Sequence, residues 1–444
     1  MDFLRKNPCA MLDMSMGTGK TRTVIDYVDE RDDIKKVLVV CPLSTIKERT
    51  WENNLKKFST SAWTYVGDHK GSVAKKAEQI SYELDMFYNS TSDKIFVVVN
   101  YDIIWRKPMD ETLLRAGFDL IVLDESHRAK AAGSKQSRFA HLLGKRCKNK
   151  ICLSGTPMAN SPLDIYGQYR FLNSRVFGTR VADFKERYAV FSGGIPRFIV
   201  GYKNLDELQQ KFRSLAYTCK IEDVASQIKL PPSMPDIVRT ADFPLSSQRL
   251  IQGLKNDFYA EYDEAVIAPK NVLERLLRLQ QLCSGFIIDD GVTRDVHDEK
   301  LKLLSDVLSD IDGKVVVFCN FRHDISRIRA EIPDTYEISG TCFELDAWKK
   351  AEGKAVLVVQ IQAGAESIEL TDSHYAIYYS LPHSLALYEQ SRARIYRPTQ
   401  TERTVFIHLF MNDSVDFNIY RALKNKKDVV EAIRDGSFLD GGRV

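Results

Sequence analysis

The stretch Cys9-Ala10-Met11-Leu12-Asp13-Met14-Ser15-Met16-Gly17-Thr18-Gly19-Lys20-Thr21 says most about how the chain folds. Cys9 to Met14 is an apolar run of buried-strand length, and Val24, Ile25 and Val28 place a helix directly after the glycines. A strand, a glycine turn and a helix N-terminus together form a phosphate cradle, because the turn aims backbone N–H groups at the anion and the helix adds partial positive charge. Gly17, Thr18 and Gly19 would form that cradle, Lys20 would neutralise β- and γ-phosphate oxygens, and the Thr21 hydroxyl would ligate Mg²⁺. The strict G-x-x-x-x-G-K-[ST] pattern is broken, since Met14 stands where the first glycine belongs. On this segment alone, a glycine turn beside an exposed lysine is the competing reading.

Working outward, the same rhythm of apolar run and helical pattern repeats at Val37 to Cys41, Ile95 to Val99, Leu120 to Leu123 and Lys150 to Leu153. A second set follows at Val315 to Cys319, Ala355 to Val359, Tyr375 to Tyr379 and Thr404 to Phe410. Continuous apolar strands alternating with helices indicate parallel sheets covered on both faces, so the expected fold class is α/β with two parallel-sheet lobes. Between the sets the pattern reads as helical, and Pro231-Pro232-Ser233-Met234-Pro235 is a stiff break suited to a connector. Leu273, Leu276 and Leu277, with Arg275 and Arg278 interleaved, predict a helical insertion that Ser284-Gly285 ends. The expected organisation is a first lobe over 1–172, a helical insertion and connector over 173–230, and a second lobe over 231–444 with its insertion at about 246–290.

Composition bounds the rest. At 444 residues the chain has room for roughly three domain-sized units, and 44% hydrophobic with 28% charged residues excludes disorder as the dominant state. Lys plus Arg number 63 against 60 Asp plus Glu, so the net charge of +3 is no footprint for a polyanion, and any nucleic-acid contact must be local. The eight cysteines show no C-x-x-C or Cys/His pairing, so no zinc is expected, and Cys41, Cys152 and Cys319 read as buried thiols of a reducing compartment. No run approaches membrane-spanning length and no secretory leader is visible, so a soluble intracellular protein is expected.

The strands end on polar residues. Among them Leu120-Ile121-Val122-Leu123-Asp124-Glu125-Ser126-His127 closes on two acids: Asp124 can hold Mg²⁺, and Glu125 can accept a proton from water attacking a γ-phosphate. Asp124-Glu125-Ser126-His127 beside the phosphate loop resembles superfamily 2 helicases. Val39-Val40-Cys41-Pro42-Leu43-Ser44 with Trp51 and Lys57-Phe58 resembles motif Ia of the SWI/SNF-like branch of that superfamily. Leu153-Ser154-Gly155-Thr156-Pro157 with Asn160 and Pro162 is similar to its motif III, and Leu276 to Gly285 to its helical insert. Val317-Phe318 with Asn320-Phe321 looks like motif IV, and Gln390 with Arg394 and Arg397 like motif VI.

The resemblance implies two RecA-like lobes and an ATP-driven translocase on double-stranded DNA, hydrolysing ATP with Mg²⁺. It casts Lys20, Thr21, Asp124 and Glu125 as the first lobe's nucleotide chemistry, with Gln390 near the nucleotide. Arg397 becomes the arginine finger and Arg394 its support, both expected on one helix face at i,i+3 spacing. Ser154 and Thr156 would relay closure. Pro42, Ser44, Lys47, Asn100, Tyr101, Gln362 and Gly364 would contact or couple to DNA, with Arg106, Arg128 and Lys130 as further cations. The competing reading of Arg394 and Arg397 is a basic helix end, with Arg392 and Arg403 merely solvated nearby. Binding would be sequence-nonspecific and salt-sensitive. A monomer is expected, in the cytoplasm of a bacterial or phage-infected cell and at its nucleoid, or in the nucleus of a eukaryote.

Some residues depart from the family pattern. Only eight residues precede Cys9, where the family carries an adenine-reading segment, leaving nucleotide selectivity open. The motif V equivalent, Gln362 to Thr371, lacks the expected glycines and asparagine and gains Glu366 and Glu369, which would repel phosphate unless turned away. Tyr396 replaces a histidine, and Ile338 to Trp348 is shortened. A strand-separating helicase and a nucleotide-dependent DNA clamp with little turnover are the alternatives.

Overall fold

Valine- and isoleucine-rich runs form the strands, and in the central strands of the first sheet they are buried almost without interruption, as parallel strands flanked by helices require. The computed structural model describes residues 1–67, 70–193, 199–228, 230–256, 260–262, 265–267, 272–289, 291–364 and 368–435. They form two units, one within 1–227 with 426–435 and one within 228–425.

The first unit is built on β1 (Cys9–Met14), β2 (Lys36–Cys41), β3 (Trp63–Val66), β4 (Lys94–Asn100), β5 (Leu120–Asp124), β6 (Asn149–Ser154) and β7 (Ala216–Cys219). Their order is β3-β4-β2-β5-β6-β1-β7, with every pairing parallel. Leu12, Val39, Val98, Val122 and Leu153 pack with Val24, Ile25 and Val28 of the Lys20–Asp29 helix and with Trp51 and Leu55 in one core. The order positions the site, because β5, β6 and β1 are neighbours and the three loops leaving their carboxyl ends lie side by side. A Cβ on Gly155 would sit 3.3 Å from the Met14 carbonyl, so the loops after β6 and β1 abut.

The 173–230 stretch is less purely helical than its sequence suggests. It supplies β7, paired with β1, and an antiparallel Ala189–Phe191/Ile199–Tyr202 hairpin, along with the Val181–Tyr188, Leu205–Arg213 and Ile221–Ile228 helices.

The second unit carries β8 (Ile237–Ala241), β9 (Lys314–Cys319), β10 (Thr335–Ile338), β11 (Ala355–Gln360), β12 (Tyr375–Tyr378) and β13 (Val405–Met411). These run β8-β13-β12-β9-β11-β10, again all parallel, over a core of Val315, Val317, Val358, Ile377 and Leu409. The expected insertion is present as the Leu245–Asn256 and Val272–Cys283 helices, with a short antiparallel pair, Ala260–Tyr262 and Ala265–Ile267, between them. Among the described residues no helix is long and apolar enough to cross a membrane.

Candidate functional site

Gly17 and Gly19 adopt φ of 78° and 92°, the left-handed region where a side chain is strained, and Gly19 caps the Lys20–Asp29 helix. The Thr18 hydroxyl donates to the Ser15 carbonyl at 2.7 Å, which fixes the turn. Lys20 Nζ donates to the carbonyls of Met14 at 2.9 Å and Ser15 at 3.1 Å, so the ammonium is held over the loop where a phosphate would compete for it. Thr21 follows in the helix's first turn. Met14 is the last residue of β1 and buried; the tight turn comes from Gly17 and Gly19, and no glycine is needed at 14.

Asp124 ends β5 and is buried. The Trp51 indole N–H donates to its Oδ2 at 3.0 Å, the Glu125 N–H to its Oδ1 at 3.0 Å, and the Tyr101 hydroxyl to its backbone carbonyl at 2.9 Å. Burial, then the neighbouring Glu125 charge, push the Asp124 carboxyl above the ordinary range, while Trp51 and Lys20 act against them. The Lys20 effect places the phosphate loop within electrostatic reach of the acid. Thr21 and Asp124 are hard oxygen donors that suit a Mg²⁺ completed by phosphate oxygens and water. Among the described residues no cluster of three His, Cys, Asp or Glu could hold a metal by itself.

Glu125 has a left-handed backbone, φ 48°. Its Oε2 lies 3.3 Å from His127 Nδ1, which is 3.4 Å from Ser154 Oγ, and Ser154 Oγ accepts the Thr156 N–H at 3.1 Å. The acid is thereby connected to the loop after β6 that carries Ser154 and Thr156.

The motif VI reading needs correction. The helix spans Leu385–Arg392 and carries the buried Gln390, but it ends before Arg394 and Arg397, which sit in the following turn and share no helix face. Arg394 is buried with Nη1 3.4 Å from the Ile368 carbonyl, and Arg397 Nε lies 3.9 Å from Glu369 Oε1. Arg392 is not a solvated bystander: its guanidinium lies 3.7 Å over the Phe406 ring and donates to Asp236 at 2.8 Å. Glu369, feared as a phosphate repeller, accepts hydrogen bonds from Thr399 and Thr371. Burial opposes its ionisation, but these hydroxyls and Arg397 hold its carboxyl below the ordinary range. Glu366 lies outside the described residues. Gln362 is exposed on the short Ile361–Gly364 helix, which Gly364 ends.

On the proposed DNA side, Lys47, Arg106 and Arg128 are exposed, Ser44 is half-buried, and Pro42 begins the Leu43–Lys47 helix. Lys130 Nζ lies 3.4 Å from Asp164. Asn100 and Tyr101 are not placed for direct contact. Asn100 Oδ1 accepts the N–H groups of Asp102 and Ile103, and Tyr101 is buried against Asp124, so both shape the turn. Trp51 and His127 entered the sequence reading only through the family resemblance and with no role of their own; the structure ties Trp51 to Asp124 and His127 to Glu125.

Residues 4–285 match the SNF2-related domain, and residues 299–399 the helicase conserved C-terminal domain. The chain belongs to the SNF2-related family. This SNF2-family chain has the helicase-like motor domains of the SWI/SNF-like branch of superfamily 2, with the two parallel-sheet α/β lobes its sequence implied. It is 22% identical to protein p41 of Acyrthosiphon pisum secondary endosymbiont phage 1, over 98% of this chain and 95% of p41. It is 21% identical to the DNA annealing helicase and endonuclease ZRANB3 of Homo sapiens, over 99% of this chain but 39% of that protein. Against the DNA repair and recombination protein RAD54-like of Drosophila mojavensis, identity is 22%, over 97% of this chain and 61% of that one. The SNF2-family chain thus spans 39% and 61% of these two longer relatives. The Sulfolobus solfataricus SWI2/SNF2 ATPase core in complex with dsDNA aligns at a TM-score of 0.42 and 20% identity, covering 95% of this chain and 87% of that one.

Proposed function

We propose that this SNF2-family ATPase moves along double-stranded DNA without sequence preference, hydrolysing MgATP. The observation that carries the reading is the convergence, within one unit, of the phosphate loop, Asp124 and Glu125, with His127 linking Glu125 to the Ser154–Thr156 loop. Gly17 to Gly19 would cradle the phosphates and Lys20 would exchange its carbonyl partners for phosphate oxygens. Thr21 and Asp124 would hold Mg²⁺, which neutralises developing phosphate charge, and Glu125 would take the proton of the attacking water. Arg397, supported by Arg394, is assigned to transition-state charge when nucleotide is bound, with Gln390 beside it. DNA would be held through backbone phosphates by Lys47, Arg106, Arg128 and the Gln362–Gly364 segment, with Ser44 and Lys130 assisting.

ATP turnover by the full chain, with and without double-stranded DNA, tests this: stimulation by duplex of any sequence is expected. No turnover in either condition, from protein shown to be folded, would overturn it. The Glu369 carboxylate beside Arg397 favours one alternative, a clamp that binds DNA tightly with ATP and releases little phosphate.

A further inference from the structure

Gly167 and Gln168 lie in the Ile165–Asn173 helix, which no part of the reading above uses. A Cβ on Gly167 would lie 2.2 Å from the Ala129 carbonyl oxygen and 2.6 Å from that of Lys130, so only glycine lets this helix pack directly on the turn behind Glu125. The next residue, Gln168, is fully buried. Its Oε1 accepts the Ser126 hydroxyl at 2.7 Å, while its Nε2 donates to the carbonyls of Pro157 at 2.7 Å and Asp164 at 3.0 Å. Ser126 adjoins Glu125, and Pro157 adjoins Thr156. One buried amide therefore bonds both the acid's loop after β5 and the loop after β6.

A leucine would fill this space without needing partners, whereas a buried amide is costly unless its directional bonds are all made. Those bonds fix distance and angle between the two loops in a way apolar packing does not. We infer that Gln168 is a positioning residue for hydrolysis, a splint that holds Glu125 in register with the Thr156–Pro157 loop so that movement of one loop moves the other. The left-handed backbone of Glu125 makes its carboxylate dependent on such outside support. The inference rests on the assignment of Glu125 as the base, and it links DNA-dependent movement of the 155–157 loop to water activation.

The test is steady-state ATPase of the full chain with and without saturating duplex, for Gln168→Met, Gln168→Glu, Ser126→Ala and the Ser126→Ala/Gln168→Met double variant, with Glu125→Gln as control. Gln168→Met should lower DNA-stimulated kcat by about tenfold or more while KM for ATP stays within about twofold, as expected for support felt only in the transition state. Gln168→Glu keeps the acceptor for Ser126 but loses the donor to Pro157, and should lose stimulation too. The double variant should be no worse than the poorer single one, because both break the same bond. Wild-type stimulation in folded Gln168→Met or in Ser126→Ala would overturn the splint, as would strictly multiplicative losses in the double variant. Should Gln168→Met not fold, Gln168→Glu and Ser126→Ala carry the same decision. Activity in Glu125→Gln would instead reject the assignment of the base.

Discussion

At the scale of single residues, Asp124 shows how chemistry depends on partners far away in sequence. Its Oδ2 is oriented by Trp51, 73 positions earlier, and an outer hydrogen bond of this kind aims a carboxylate at its metal. Trp51→Phe keeps most of the packing and removes only that N–H. We expect the Mg²⁺ concentration for half-maximal ATPase to rise by about tenfold with little change in the nucleotide dependence; an unchanged Mg²⁺ titration would leave Trp51 a packing residue only. Lys20→Ala and Glu125→Gln should each abolish turnover, the first by weakening ATP binding and the second with binding retained, as equilibrium nucleotide binding would show. The placement of Lys20 and Thr21 after β1 and of Asp124 and Glu125 at the end of β5 was legible because it is written in local spacing at a strand end. Trp51 and Gln168 were not, because an indole or an amide acquires a role only when folding brings up a partner 73 or 42 positions away.

At the scale of elements, every central strand was visible as an apolar run, and the strands of the two parallel sheets that escaped were β3, β7, β8 and β10. All four are sheet edges. An edge strand pairs on one side only and is partly open to water, so its sequence stays mixed, as in Ala216-Tyr217-Thr218-Cys219. The helical insertion was legible from its leucine spacing, but the way it joins the second sheet was not. Gly285 follows the Val272–Cys283 helix at φ 89°, and a Cβ there would lie 2.1 Å from the His297 carbonyl and 2.6 Å from Arg327 Nη1. Arg327 is buried at that junction and donates to the carbonyls of Ser284 and His297. Gly285→Ala should destabilise the second unit by about 2–4 kcal/mol, from the left-handed backbone and the overpacking together, measurable by denaturant unfolding. Nearby, burial raises Asp324 to about 6 against the Ser380 hydroxyl bonded to it. Its folded pKa exceeds its unfolded one, so the native state binds the extra proton and stability from this group falls as pH rises from about 4 to about 6. Asp324→Asn should flatten that part of the stability–pH curve, and an unchanged curve would refute the assignment.

At the scale of the whole molecule, a net charge of +3 leaves no long-range field to attract DNA, so the proposed affinity would rest on cations placed at the carboxyl edge of a sheet. Lys47 follows β2, Arg106 follows β4 and Arg128 follows β5, and all three are exposed at that one edge. Contacts of this kind release counterions from the phosphate backbone and read no bases. Duplex affinity should therefore fall by about a thousandfold between roughly 50 and 200 mM salt if about six phosphates are neutralised. Lys47→Ala, Arg106→Ala and Arg128→Ala should each weaken binding equally on AT-rich and GC-rich duplexes and reduce the slope of log affinity against log salt by about one. Fluorescence anisotropy across a salt series would measure this. A shallow slope unaffected by any of the three substitutions would move the DNA off this edge, and a loss confined to one duplex sequence would show that bases are read. The acids matter to the same balance: with Glu369 held by Thr399 and facing Arg397, its negative charge is partly neutralised within the second unit. Glu369→Gln should accordingly leave duplex affinity and its salt slope unchanged while altering kcat, which separates charge at the DNA from charge at the arginine.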